Sequence, residues 1–349
     1  MRITELHIPR TVDARFAEMV EVRNAVERAV LGTDALAVTA AELLPFYQMQ
    51  DHAPKRIVVA EVDGRLVARG VVDGRLGGGG GGPVWLAVEV LPEFRGRGIG
   101  TALADYLEAL AAGRVLQATA LHAVLPGGER VPSPSGFGDV PAADPGVRFL
   151  RRRGYRLEQV KRISFLDVPL PPGELDARYA EAAARAGDDY RVVSWVGRTP
   201  PAWLGEIAAL RTAMATAAPL AGLDPDDEPW DEGRVVAADN RLLVAGRAAL
   251  TVAAEHRPTG RLAGFSELWP PLDPSRAVHQ HDTLVLPEHR GRRLGMVLKL
   301  ANLRLLAATA PHYRLVQTFN AEENRPMLDV NEAIGFRPVG AEGGWRRDR

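Results

Sequence analysis

The sequence predicts a mixed α/β protein of two similar units, each with a central mixed, mostly antiparallel sheet flanked by helices. Three observations lead there. A basic, glycine-rich turn occurs twice, as Leu91-Pro-Glu-Phe-Arg-Gly-Arg-Gly-Ile-Gly100 and as Leu286-Pro-Glu-His-Arg-Gly-Arg-Arg-Leu-Gly295. Each copy follows a strand-like apolar run (Val84 to Val90; Thr283 to Val285) and opens a helix-like one (Thr101 to Leu110; Met296 to Leu306). The order helix, hairpin, strand, helix, strand, helix, strand then recurs in both halves, as an internal duplication would leave it.

In the first half, Phe16 to Leu31 has helical periodicity, with Phe16, Met19, Val20, Val22 and Ala25 among its apolar positions. Arg56 to Val62 and Arg65 to Val72 are strand-like and flank Asp63-Gly64, a hairpin signal because Gly tolerates positive φ. Gly77 to Gly82 is a run of six glycines, which cannot hold regular structure and predicts a mobile loop. Val84 to Val90 is a strand, followed by the turn and its helix; Val115 to Val124 is a further strand. Pro126 to Gly146 is rich in Pro, Gly, Ser and Asp and reads as an inserted surface loop. Val147 to Arg153 is a short helix stopped at Gly154, and Tyr155 to Leu166 closes the half as strands. A linker opens at Asp167, with a polar, Ala-rich helix over Glu174 to Ala186. In the second half, Tyr190 to Val196 is a strand, and Ala202 to Ala215 and Glu232 to Val244 are helices. Leu250 to Glu255 and Arg261 to Leu268 pair around Pro258-Thr-Gly260, and Val278 to Val285 leads into the second turn. Tyr313 to Phe319 is a strand, and Arg325 to Ala333 a short helix ended by Gly335. The expected division is a first unit over 1–168, a linker over 169–188 and a second unit over 189–349.

Composition limits the function. The 349 residues, 46% hydrophobic and 25% charged, are ordinary for a globular chain and sufficient for two cores. A formal net charge of -1 excludes the bulk basic field of a nucleic-acid binder. The absence of cysteine excludes disulfides, thiolate metal sites and a Cys-acyl intermediate. No signal core opens the chain, and no apolar run approaches the roughly 20 residues that cross a bilayer. A cytoplasmic protein is expected, monomeric or homodimeric, with no nucleic acid, membrane or metal.

Strand, basic Gly-rich turn and helix is a way to hold a phosphate, because unpaired backbone N–H groups and the positive end of the helix dipole converge on the anion. Gly98 and Gly100 lack a Cβ and permit close approach, while Arg95 and Arg97 add charge and fork-shaped donors. In the second copy Arg293 stands at the place of the first motif glycine. Its N–H survives; its side chain either crowds the phosphate or binds it.

These residues resemble the GNAT superfamily of acyl-CoA-dependent N-acyltransferases. Its turn signature, Arg/Gln-x-x-Gly-x-Gly/Ala, is met by Arg95-Gly96-Arg97-Gly98-Ile99-Gly100, with Val90 and Pro92 upstream. The later family segment, a short helix ending in Gly-aromatic, is matched by Arg148 to Tyr155 and by Asn324 to Phe336. The resemblance covers nearly the whole chain as a tandem pair. It implies acetyl-CoA as co-substrate, with the diphosphate on the turn amides and the acyl arm between two splayed strands. The residues it assigns to CoA are Val88, Val90, Arg95, Gly96, Arg97, Gly98, Ile99, Gly100 and Thr101 in the first half. In the second they are Leu284, Val285, Arg290, Gly291, Arg292, Arg293, Leu294, Gly295 and Asn320. The implied acceptor is a small-molecule amine, which would attack the thioester directly in a ternary complex. Tandem members include mycothiol synthase, which stays open as a narrower reading.

An alkyl ammonium, with a pKa of about 10, must lose a proton before it attacks. Glu267 flanks the expected cleft if its side chain points inward; otherwise it is a solvent-facing strand carboxylate. His279 and His281 lie on one face of a strand, His279 near where some family members carry a catalytic Glu. Glu89 is similarly ambiguous, and Asp282 reads as structural. Asn324 fills the family's Asn position, able to cap the short helix and bond the pantetheine arm. The family's Tyr donor is absent, Leu150 and Asn331 standing in its place. The catalytic candidates are therefore Glu267, His279 and Asn324, which leans catalysis toward the second half. A non-catalytic acyl-CoA-binding protein is the rival reading.

Overall fold

The apolar runs become strands, and the strands join into one sheet. The computed structural model describes residues 1–51, 54–74, 76, 82–124, 127–217, 219–224 and 229–348. The first half contains β1 (Arg2–Leu6), α1 (Ala14–Leu31), α2 (Ala40–Gln48), β2 (Lys55–Val62), β3 (Arg65–Asp73), β4 (Val84–Val90), α3 (Ile99–Leu110), β5 (Leu116–Ala123), β6 (Arg130–Pro132), β7 (Asp139–Pro141), α4 (Pro145–Arg152) and β8 (Arg156–Asp167). Helix α5 (Glu174–Ala186) leads to β9 (Tyr190–Val196), α6 (Leu204–Ala217), α7 (Glu232–Val244), β10 (Leu250–His256), β11 (Arg261–Trp269), β12 (Val278–Val285), α8 (Leu294–Thr309), β13 (Leu315–Ala321), α9 (Arg325–Ile334) and β14 (Arg337–Arg347).

The halves exchange their last strands. The 12-stranded sheet runs β1-β2-β3-β4-β5-β14-β8-β13-β12-β11-β10-β9. Thus β14, the end of the second half, pairs with β5 from Gly340 opposite Ala123 to Arg347 opposite Leu116. In return β8 pairs with β13, Ala321 opposite Lys161. Gly340 makes this possible: a Cβ there would lie 2.7 Å from Leu31 Cδ2 and 3.1 Å from the His122 carbonyl. The unit boundary expected near residue 168 is therefore crossed by strand pairing in both directions.

Within each half two parallel neighbours touch briefly and then part. β4 and β5 pair only from Val84 to Leu86 against Leu116 to Ala118. β12 and β13 pair only at Val278 and His279. A strand pair that stops bonding leaves a wedge, and α3 and α8 begin beside the two wedges. Helix α3 buries Leu103 and Leu107 completely on the sheet.

Several elements depart from expectation. β1, an edge strand antiparallel to β2, and α2, which starts with a Thr39/Glu42 capping box, carry too few residues for a periodic signal. The 126–146 insertion contains a hairpin, β6 with β7, clasped by Arg130 Nε donating to Asp139 Oδ1 at 2.7 Å. The strands expected over 155–166 are one strand, β8. Of the glycine run, only Gly82 lies within the described residues. Among the described residues no helix is long and apolar enough to cross a membrane.

Candidate active site

Each turn is built by its own arginine. Arg95 Nε donates to the Val90 carbonyl at 3.0 Å, and Arg290 Nε does the same to Val285 at 3.1 Å. The chain then passes through the left-handed region at Gly96 and Gly98 (φ 75° and 79°) and enters α3 with no side chain capping its first amides. A Cβ at Gly96 or Gly98 would meet nothing within 4 Å, so there is open space beside the turn. Arg97 is spent locally, donating to the Glu93 carbonyl at 2.8 Å and lying over the Phe94 ring. Ile99 sends its side chain into the core, leaving only its backbone at the turn.

A cavity of about 900 Å³ starts at this turn. Val88, Val90, Arg95, Gly96, Gly98, Gly100 and Thr101 line its near end, Glu27 and Glu89 its middle, and Arg247, Trp269, His279 and Gln317 its far end. Its far end thus comes from the second half. Contacts between the halves there include Ala277 N–H donating to Ala35 O at 2.9 Å, Leu272 N–H to Glu42 Oε1 at 2.7 Å, and Arg276 Nη1 to Glu42 Oε2 at 3.1 Å and to Ala37 O at 3.3 Å.

Glu27, on α1, was not among the sequence candidates. One oxygen is 2.7 Å from Arg23 Nη2; the other is buried with no partner. Burial raises its pKa to about 7; Arg23 opposes this, and the Glu89 charge adds to it. Glu89 itself is tied to Arg69, which also donates to Tyr47 Oη at 3.3 Å. A carboxyl that changes charge near neutrality, on the wall of a cavity, is suited to general-base work. The available signal was an Arg23/Glu27 pair spaced i,i+4 between Val22, Val26 and Val30. In sequence alone that spacing reads as a surface ion pair.

The expected candidates of the second half take other roles. Glu267 points away from the cavity. It is 2% exposed and accepts from Arg211 Nη2 at 2.8 and 3.0 Å. Burial would raise its pKa, but Arg211 and then His281 outweigh burial and hold it below the ordinary range. The inward-facing base expected here is instead half of a buried ion pair. A register shift between Ser266 and Leu268 lets the one residue Glu267 face His281 and Asp282. His281 stacks on Trp269 at 3.7 Å, and Asp282 and Glu267 overcome burial to push its pKa up to about 9. Glu267, His281 and Asp282 bring ligand-type atoms within 4.8 Å of one another. Arg211 and a protonated His281 already neutralise those carboxylates, which disfavours a metal ion there. His279 does reach the cavity, paired with Gln317, but burial and the His281 charge push its pKa down to about 3. It is a neutral acceptor rather than a base for an ammonium. Asn324 caps α9, accepting from Met327 N at 3.4 Å. Asn320 accepts from Asn331 Nδ2 at 2.7 Å and Thr318 Oγ1 at 3.1 Å, so its carbonyl is occupied.

The cavity reaches none of Leu284, Val285 or the turn from Arg290 to Gly295. Leu284 and Leu294 are buried core residues. Gly291 keeps φ at 77°, and Arg292 lies 6.0 Å over the Tyr190 ring. Arg293 adopts the same left-handed backbone as Gly98, at φ 59°, without being glycine. Gly295 packs beside Val330. One helical turn into α3, Ala104 borders a void of about 70 Å³ between β4 and β5. The corresponding residue of α8 is Lys299, 2% exposed, with Nζ 5.6 Å over the Phe336 ring.

Two splayed strand pairs, each with a basic turn feeding a helix, define the class as a fold of CoA-dependent acetyltransferases. Residues 27–127 match the family model described as "Acetyltransferase (GNAT) family". Among solved structures, a tandem GNAT protein from the clavulanic acid biosynthesis pathway, solved without acetyl-CoA, is 26% identical at a TM-score of 0.74, covering 99% of this chain and 98% of that one. A GCN5-related N-acetyltransferase from Sphaerobacter thermophilus shares the fold at 16% identity and a TM-score of 0.62, covering 99% and 95%. A GNAT-family acetyltransferase from Colwellia psychrerythraea does so at 12% and 0.53, covering 100% of each chain. No curated protein matches the sequence. Residues 27–127 thus carry a GNAT acetyltransferase domain, and the chain as a whole has the fold of a tandem GNAT protein.

Proposed function

We propose that the chain transfers an acetyl or other small acyl group from CoA to a primary amine by direct attack, and that it does so in the first half. One observation carries this reading: a single cavity joins the open turn at Gly96 and Gly98 to the Glu27 carboxyl. The free amides at the start of α3 suit a diphosphate, and the wedge between β4 and β5 suits an extended arm. When bound, the thioester supplies the activated acyl group. The amine enters as an ammonium, and Glu27, titrating at about 7, accepts its proton directly or through water. Arg23 steadies the resulting carboxylate. In this reading the second half is a wall: Arg293 and Lys299 disfavour CoA there, and the cavity takes from that half residues such as Arg247, Trp269, His279 and Glu342 but none of its basic turn. The lean toward second-half catalysis is thereby reversed.

The test is calorimetric titration of the full chain with acetyl-CoA, together with free-CoA release over a panel of amines. We expect one site, lost in Gly98→Glu and retained in Gly295→Glu. Unchanged binding in Gly98→Glu overturns the assignment to the first half. Tight binding with no CoA release for any amine favours the non-catalytic reading.

A further inference from the structure

We propose that the acceptor amine carries a carboxylate, and that Arg247 binds it at the far end of the cavity. This deepens the acyl-transfer reading and rests on it. The two most deeply buried guanidiniums among the described residues meet carboxylates, Arg69 with Glu89 and Arg211 with Glu267, while the less buried Arg241 lies over the Phe46 ring. Arg247 differs. Its Nε donates to the Pro270 carbonyl at 2.9 Å and its Nη2 to the Trp269 carbonyl at 2.9 Å, both neutral. No carboxylate pairs with it among the described residues. Glu42, the acid across the interface, is already satisfied by Arg276, the Leu272 amide and the Thr39 amide. Burial pushes the Arg247 pKa down, and the Glu42 charge opposes this only in part. A half-buried cation held by two carbonyls, with a donor edge left over on a cavity wall, is short of one anion.

Its neighbours are short of partners too. Trp269 Nε1, a donor suited to a carboxylate, is buried without a hydrogen bond, and Gln317 Oε1, an acceptor that needs a donor of the ligand instead, is unpaired as well; both residues line the cavity. Buried polar atoms are normally satisfied, so unpaired ones sharing a cavity wall point to groups that a ligand supplies. Elsewhere the cavity wall carries Glu27, whose second carboxyl oxygen has no partner, and Glu89 and Glu342, which pair with Arg69 and Lys161. An ammonium toward Glu27 and a carboxylate toward Arg247 would complement both regions. The acceptor class is therefore an amino acid or a longer amine bearing a terminal carboxylate. The same donors could face a phosphate of the co-substrate, so the test separates the two.

The probes are ω-amino acids from glycine to 6-aminohexanoate and the primary amide of each. Acetyl transfer is followed by CoA release. Binding of each probe to the CoA-loaded protein is followed separately by calorimetry, which needs no turnover. The wild type should favour the carboxylate over its amide by roughly 10–100-fold in KM at one or more chain lengths, the scale of a lost charged hydrogen bond. Arg247→Gln should erase that preference by raising KM for the carboxylate, leaving the amide within about twofold. Arg247→Lys, which keeps the charge, should restore part of it. Equal use of carboxylates and amides by the wild type overturns the proposal, as does a parallel loss of both in Arg247→Gln. Weaker acetyl-CoA binding in Arg247→Gln assigns the residue to a co-substrate phosphate and overturns it as well. If no probe is acetylated but carboxylates still bind through Arg247, the anion site stands and the transfer reading falls. If probes are acetylated without regard to the carboxylate, the reverse holds. Neither turnover nor binding of either series overturns both.

Discussion

Replacing Glu27 by Gln separates a working base from a buried structural carboxylate, because the two roles predict opposite balances of activity and stability. In the folded chain its pKa rises from 4.5 to about 7. An acid whose folded pKa is raised binds more protons folded than unfolded, so stability is fully present below pH 4.5 and is lost as pH rises through 7. Holding the ionised form at pH 8 then costs about 3 kcal/mol, at 1.36 kcal/mol per unit, a figure trimmed by the 12% of the side chain left exposed. Gln removes that cost, so the variant should match the wild type near pH 4.5 and exceed it by a few kcal/mol at pH 8. Activity should move the other way. A lost general base costs about 10²–10⁴-fold in kcat/KM, and the limb of the pH–rate profile that rises through about 7 should vanish. The assays are CoA release from pH 5.5 to 9 with saturating acetyl-CoA, and denaturant unfolding at pH 5 and 8. A variant that keeps wild-type kcat/KM and the same limb refutes the base role, whatever its stability.

Three other substitutions test the account of the second half. Arg293→Gly relieves a left-handed L-residue at the start of α8 and should add about 1 kcal/mol, seen as a higher unfolding temperature with acetyl-CoA affinity unchanged. Glu267→Ala strands Arg211, which is 6% exposed, and should destabilise by about 3–5 kcal/mol in denaturant unfolding; a small loss would mean the pair is solvated. Lys299 has its pKa pushed down to about 7 by burial. The unfolded chain therefore binds more protons between pH 7 and 10.5, and wild-type stability should climb across that window. Lys299→Met should raise the unfolding temperature at pH 7 by an amount that shrinks toward pH 10.5, and a pH-independent difference would contradict the burial argument.

The duplicated turns, the hairpins at Asp63-Gly64 and Pro258-Thr-Gly260, and the helices that follow each turn were legible because each is a local pattern: a glycine where φ is positive, a period of two or of 3.6. Those patterns determined the GNAT-type fold, its doubling and the first basic, glycine-rich turn. Glu267 looked like a cleft carboxylate for the same local reason, sitting on the third strand of its half. Arg211, on a helix distant in sequence, turned it into an ion pair. Glu27 and Arg247 left no comparable trace, because each acquires its character from burial among residues of other elements: Glu27 beside the Arg69/Glu89 pair, Arg247 beside the Trp269 and Pro270 carbonyls. The exchange of β8 and β14 was equally hidden, since strand alternation specifies which face a residue takes and leaves open which neighbour the strand will pair with. Local backbone chemistry thus decided what the elements are. Only their long-range packing decided which half holds the open cavity, which carboxyl stays uncompensated within it, and which guanidinium waits there for an anion.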